Sequence, residues 1–157
     1  MYSEGDKILY PLNGAGVIRQ IKTCQILGEI KDYYLLNVPC GDMEVMIPVD
    51  GCDAIGVRPV GTPEQIDKAI SVLALESTEM NGNWNKRYRE NMDKIKTGDI
   101  ILVAEIVRNL TRIDRVNKLS AGEKKMLSNA RKILQSEIML VKEISEEETL
   151  EIIEAAI

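Results

Sequence analysis

The sequence predicts an α+β protein, with a small antiparallel β-domain over residues 1–60 and a compact all-helical domain over residues 61–157. Two patterns carry that prediction. Short runs rich in β-branched and aromatic residues, broken by Gly- and Asp-containing reversals, fill the first sixty positions. From about residue 61 the apolar spacing becomes three to four, and hydroxyl-x-x-Glu/Gln patterns at Thr62, Ser120 and Ser145 mark helix starts. A chain of 157 residues buries roughly 70% of its unfolded surface, so a hydrophobic core suffices to hold it.

In the first part, Lys7-Ile8-Leu9-Tyr10, Gly16-Val17-Ile18, Tyr33 to Val38 and Met43 to Ile47 read as strands. Asn13-Gly14, Gly28-Glu29, Cys40-Gly41-Asp42 and Asp50-Gly51 read as the turns between them, since Gly and Asn tolerate the positive φ of tight reversals. Turns this closely spaced imply a strongly bent sheet or half-open barrel. Pro11, Pro39 and Pro48 each end a run, where a missing ladder donor costs little.

In the second part, Thr62-Pro63-Glu64-Gln65 opens a helix whose apolar face is Ile66, Ala69, Ile70 and Leu73. Met80-Asn81-Gly82-Asn83 breaks the chain, and Asn83 caps a second helix carrying Trp84, Tyr88, Met92 and Ile95 on one stripe. Gly98 ends that helix, and a third runs from about Asp99 to Val116. Ser120 opens a long fourth helix with Leu127, Ala130, Ile133, Leu134, Ile138 and Val141 facing inward. Ser145 opens a short fifth with Leu150, Ile153 and Ile157.

Composition narrows the chemistry. Histidine is absent, which excludes Ser-His and Cys-His catalysis and every His-ligated metal. Cys24, Cys40 and Cys52 contain no C-x-x-C pair and lack a fourth ligand, so no zinc site or other cofactor is expected. Gly14-x-Gly16 lacks the third glycine of a nucleotide loop, and no Walker motif occurs. No carboxylate pair stands out by its spacing, and an enzyme is not expected. No apolar run approaches a membrane span and no leader opens the chain, so a reduced, cytoplasmic protein is the expectation.

The net charge of −5 conceals a segregation. Residues 1–60 hold 5 basic and 8 acidic side chains, residues 84–132 hold 13 and 6, and residues 137–157 hold 1 and 7. The central block is a candidate phosphate footprint, or else a set of solvated helix faces. Inside it stands Asn83-Trp84-Asn85-Lys86-Arg87-Tyr88-Arg89. An indole among cations at a helix start suits stacking or wedging between bases. The same Trp on an apolar stripe equally suits the core of a protein–protein adapter that makes no DNA contact.

Gly5-Asp6-Lys7-x-x-Tyr10-Pro11-x-x-Gly14-x-Gly16-x-Ile18, with Gly41-Asp42-Met43 and Ile47-Pro48, resembles the start of the CarD/CdnL family of bacterial transcription regulators. Asn83-Trp84-x-x-Arg87-Tyr88, Gly98-Asp99 and Leu119-Ser120-Ala121-Gly122-Glu123-Lys124-x-Met126-Leu127 continue the match through the second half. The resemblance implies a Tudor- or SH3-like β-domain that binds the RNA polymerase β subunit and a helical domain that binds promoter DNA. It implies that Trp84 inserts in the minor groove at the upstream edge of the melted region and stabilises the open complex. Lys86, Arg87, Arg89 and Lys124 would accompany it on DNA. Cys24, Ile26 and Met46 match the polymerase-binding edge-strand positions, with Lys22 nearby. Relatives often carry Arg where Cys24 and Met46 stand, so apolar packing and backbone pairing would bear more of that contact here. No base-reading element is evident, so non-sequence-specific DNA contact by a monomer tethered to polymerase is the expectation, with no membrane or small-molecule partner.

Overall fold

The structure, a computed structural model, describes all 157 residues. Its order is β1 (Lys7–Tyr10), β2 (Gly14–Ile26), β3 (Glu29–Val38), β4 (Met43–Pro48), β5 (Arg58–Pro59), then α1 (Pro63–Val72), α2 (Trp84–Lys96), α3 (Ile100–Val116), α4 (Ala121–Lys142) and α5 (Glu146–Ala156). The strands form one antiparallel sheet, β4-β3-β2-β1-β5. The α+β organisation read from the sequence, with a Tudor-like sheet ahead of a helical region, is the one observed.

Three details of the sheet depart from expectation. β2 runs to Ile26 rather than ending near Ile18, β3 begins at Glu29 rather than Tyr33, and β5 was not anticipated. The extension of β2 was hidden by a bulge. Ile18 faces Leu36 and Gln20 faces Leu35, leaving Arg19 as the extra residue. The core-facing residues on either side, Ile18 and Ile21, therefore stand three apart and break the period of two. The hairpin turn falls on Leu27-Gly28 (φ 53° and 80°) rather than Gly28-Glu29. Two successive positive φ values fit the right-handed twist of the strands they join.

β1 explains how sheet and helices share a core. Ile8 and Leu9 are both fully buried, Ile8 with Ile18, Tyr34, Leu36 and Ile47, Leu9 with the helical cluster. A strand covered on both faces reads as a continuous apolar run, which is what Lys7 to Tyr10 shows. α3 and α4 form the centre of the helical part; α1 and α2 pack on α3, α5 packs on α4, and α4 also lies along β2. At that crossing Ala15 N–H donates to Ser136 Oγ at 2.8 Å. A Cβ on Gly14 would stand 2.8 Å from the same oxygen, so the close approach requires glycine.

All five helices have side-chain N-caps, from Thr62, Asn83, Asp99, Ser120 and Ser145. The reciprocal capping box expected at three of them is complete only at α1, where Gln65 returns a bond to the Thr62 backbone. At α4 the Glu123 carboxylate turns instead to Arg87 on α2. At α5 Glu148 meets the Ser145 hydroxyl rather than its backbone N–H.

Candidate functional site

Trp84 is the first residue of α2, and 53% of it is exposed. Burial grows down its stripe: Tyr88 and Met92 are half-buried and Ile95 is 1% exposed. Tyr88 already meets Gly122 in the first turn of α4, so one turn earlier no helix is present to cover the indole. The alternative of a core Trp84 is therefore not what this fold contains.

The start of α2 is capped by its own asparagines. Asn83 Oδ1 accepts from the backbone N–H groups of Asn85 and Lys86, and Asn81 Oδ1 accepts from Asn83 N–H. Every other helix has a carboxylate at its N-cap or in its first turn; α2 has none and carries Lys86 and Arg87 there instead. A cation at the positive end of a helix dipole opposes it by about 0.3–1 kcal/mol; Lys86 is left uncompensated here, whereas Arg87 has the Glu123 carboxylate beside it.

The cations around Trp84 divide. Lys86, Arg89 and Lys124 are exposed and make no ion pair. Arg87, grouped with them by sequence, is mostly covered and turned toward α4. Its Nε and Nη2 each donate to the Glu123 carboxylate at 2.7 Å, and Glu123 is 2% exposed. The carboxylate holds the Arg87 guanidinium above its ordinary pKa. This pair ties α2 to the start of α4, where Lys124 lines a depression with Asp114, Arg115, Arg131 and Glu154. A groove lined by Tyr88, Met92, Lys125, Asn129 and Lys132 continues the cationic surface between the two helices.

The segment entering α2 is latched by residues the sequence reading did not single out. Arg108 Nη1 donates to Val72 O, Arg112 to Leu73 O and Leu75 O, and Asn109 exchanges bonds with Thr78. Arg108 and Arg112 thereby satisfy the carbonyls of Val72 and Leu73 at the end of α1, which has no basic residue in its own last turn. Burial pushes the Arg108 guanidinium below its ordinary pKa.

On the sheet, Lys22, Cys24 and Ile26 lie on β2 and Met46 on β4, with β3 between. They do not share an edge; they share a face. Lys22 stands opposite Tyr33 and Met46 opposite Leu35, while the alternate residues Tyr34, Leu36 and Ile47 point into the core. Past Ile18, β2 pairs only with β3, so its second half is a free edge. Ile26 and Met46 are 44% and 41% exposed.

Comparison with known proteins now decides the family. Residues 2–61 match the CarD-like/TRCF RID domain and residues 68–154 match the CarD C-terminal domain. YdeB of Bacillus subtilis (strain 168), a protein named as a transcription factor, is 37% identical over 148 residues, 94% of this chain and 97% of its own. The chain belongs to the CarD family. Its general character is that of a CarD-type transcription regulator. In this CarD-family chain the two matched domains correspond to the sheet and the helical part, and Trp84 and the β2–β4 face fall one in each. No three metal-ligating side chains cluster, and no helix is long and apolar enough to cross a membrane. The three thiols are free, Cys40 and Cys52 buried and Cys24 half-buried.

Proposed function

We propose that this CarD-type regulator binds the β subunit of RNA polymerase through the outer face of its sheet and wedges Trp84 into promoter DNA at the upstream edge of the bubble. Lys22, Cys24, Ile26 and Met46 supply the polymerase contact; Lys86, Arg89 and Lys124 hold the DNA backbone beside the indole. The reading is carried by one observation: a half-exposed Trp opens a helix whose neighbouring cations Lys86 and Arg89 are exposed and make no ion pair. The RID match adds the polymerase side, since domains of that type are associated with RNA polymerase interaction.

The mechanism is differential binding. An indole that fits an unstacked junction favours the open complex over the closed one and shifts that equilibrium by its difference in affinity. A difference of about 1.4 kcal/mol shifts it tenfold. Sequence preference then comes from polymerase. The test is open-complex lifetime on a promoter with wild type and Trp84→Ala. The lifetime should fall several-fold with the variant while polymerase binding and folding persist; an unchanged lifetime refutes the wedge.

A further inference from the structure

We infer that Arg58 and Glu137 are positioning residues that fix the angle of α2 against the sheet, and so register Trp84 relative to the polymerase-facing surface. The functional consequence rests on the reading above; the geometry does not. Arg58 leaves the sheet at β5 and reaches two helical elements at once. Its Nη1 and Nη2 donate to the two oxygens of Glu137 on α4, at 2.8 and 2.9 Å. Its Nε and Nη2 donate to Gly98 O, at 3.0 and 2.7 Å. Glu137 is fully buried and accepts a third bond from Gly61 N–H at 2.7 Å, at the entry to α1. Gly98 is the corner between α2 and α3. Its positive φ of 74° seats it against the sheet, where a Cβ would stand 3.5 Å from Leu9 and 3.4 Å from Pro11.

One end of α2 is thus pinned to the β-part, and the other, which carries Trp84, is tied through Arg87 and Glu123 to α4, the helix that Glu137 joins to the same junction. The helix has 13 residues, or about 20 Å at ~1.5 Å per residue. A tilt of about 10° at the Gly98 corner would move the indole by about 3–4 Å, on the order of one base step. The planar guanidinium is suited to this junction because it presents donors to two separate acceptors in a fixed plane. Lysine at the same position keeps the charge opposite Glu137 but lacks that fork.

The chain supplies its own probes: Trp84 is its sole Trp, and Cys24 its one thiol that is not buried. Time-resolved energy transfer from Trp84 to an acceptor on Cys24, in the free protein, should give one narrow distance distribution. Arg58→Lys should broaden it at least twofold with helicity retained, and Glu137→Gln should do the same. Unlabelled Arg58→Lys should shorten open-complex lifetime about threefold or more while binding polymerase normally. A distribution that stays narrow in both variants overturns the junction. Broadening without any loss of lifetime, where Trp84→Ala does lose it, overturns the registration. Should Trp84→Ala itself leave lifetime unchanged, the wedge fails, while the distance widths still decide the junction.

Discussion

Arg87→Ala should destabilise the protein without weakening its DNA contact in the way loss of a phosphate-binding cation would. The substitution removes two 2.7 Å charge-assisted bonds and leaves Glu123, 2% exposed, without its partner. Breaking a fully buried pair costs about 3–5 kcal/mol. The Arg87 side chain is 17% exposed and the Ser120 hydroxyl stays within reach of the carboxylate, so about 2–3 kcal/mol is expected here. At about 2–4 °C per kcal/mol for a chain of this size, Tm should fall by about 4–12 °C. Replacing both Arg87 and Glu123 should recover part of that loss, with a coupling above about 1 kcal/mol in the double-mutant cycle. The second assay is the salt dependence of affinity for a fork-junction DNA, measured by anisotropy below the variant's Tm. A phosphate contact contributes about 0.9 to the slope of log K against log salt; Arg87→Ala should leave that slope unchanged. A variant with unaltered Tm and a slope reduced by about one would refute the assignment and return Arg87 to the DNA surface.

Three other outcomes follow from the same structure. Wild-type protein alone should bind fork-junction DNA weakly with a salt slope of about −3, since Lys86, Arg89 and Lys124 are the three cations assigned to phosphates, and a slope beyond about −6 would show a larger footprint. Lys22→Glu and Ile26→Arg should each weaken polymerase capture about tenfold with Tm within a few degrees of wild type, because both positions are exposed; undiminished capture would rule out this face. Under native conditions one thiol, Cys24, should react with iodoacetamide near pH 8, because burial both occludes Cys40 and Cys52 and pushes their thiols above the ordinary value, leaving little thiolate; mass addition at more than one cysteine in the folded state would contradict this.

The sequence disclosed what depends on short-range periodicity. The five helix starts were legible because each cap lies within three residues of the N–H it satisfies, and β1 because both of its faces are covered. β2 was not legible past Ile18, because the Arg19 bulge changes which residues face the core and the protruding hairpin has no core to demand alternation. The functional residues divide in the same way. Trp84 was visible as a candidate, but its stripe alone could not say whether the indole is covered, since that depends on where α4 begins. Glu123 read as the second half of a capping box; its partner Arg87 lies 36 positions away, and no local pattern signals so distant a pairing. Arg58 and Glu137, 79 positions apart, leave no local signature either.

The division of the basic block also explains why an acidic chain can be assigned a DNA surface. Five of its six arginines are engaged internally: Arg87 with Glu123, Arg108 and Arg112 with helix-end carbonyls, and Arg115 and Arg131 with Glu154. Its seven lysines and Arg89 make no ion pair. The guanidinium's fork suits fixed carbonyl and carboxylate acceptors, whereas the lysine ammonium is strongly hydrated and is left at the surface. Two acids meet arginines of the block, Glu123 within it at a buried pair with Arg87 and Glu154 on α5 at the surface with Arg115 and Arg131. Under the proposed function, the cations left for DNA are the unpaired lysines and Arg89, set against a net charge of −5 that disfavours capture of a polyanion. Such a surface works when something else supplies the encounter. Under the proposed function, holding the protein on polymerase would replace bimolecular capture with a high effective concentration, so that a modest wedge would need only to distinguish melted from paired DNA.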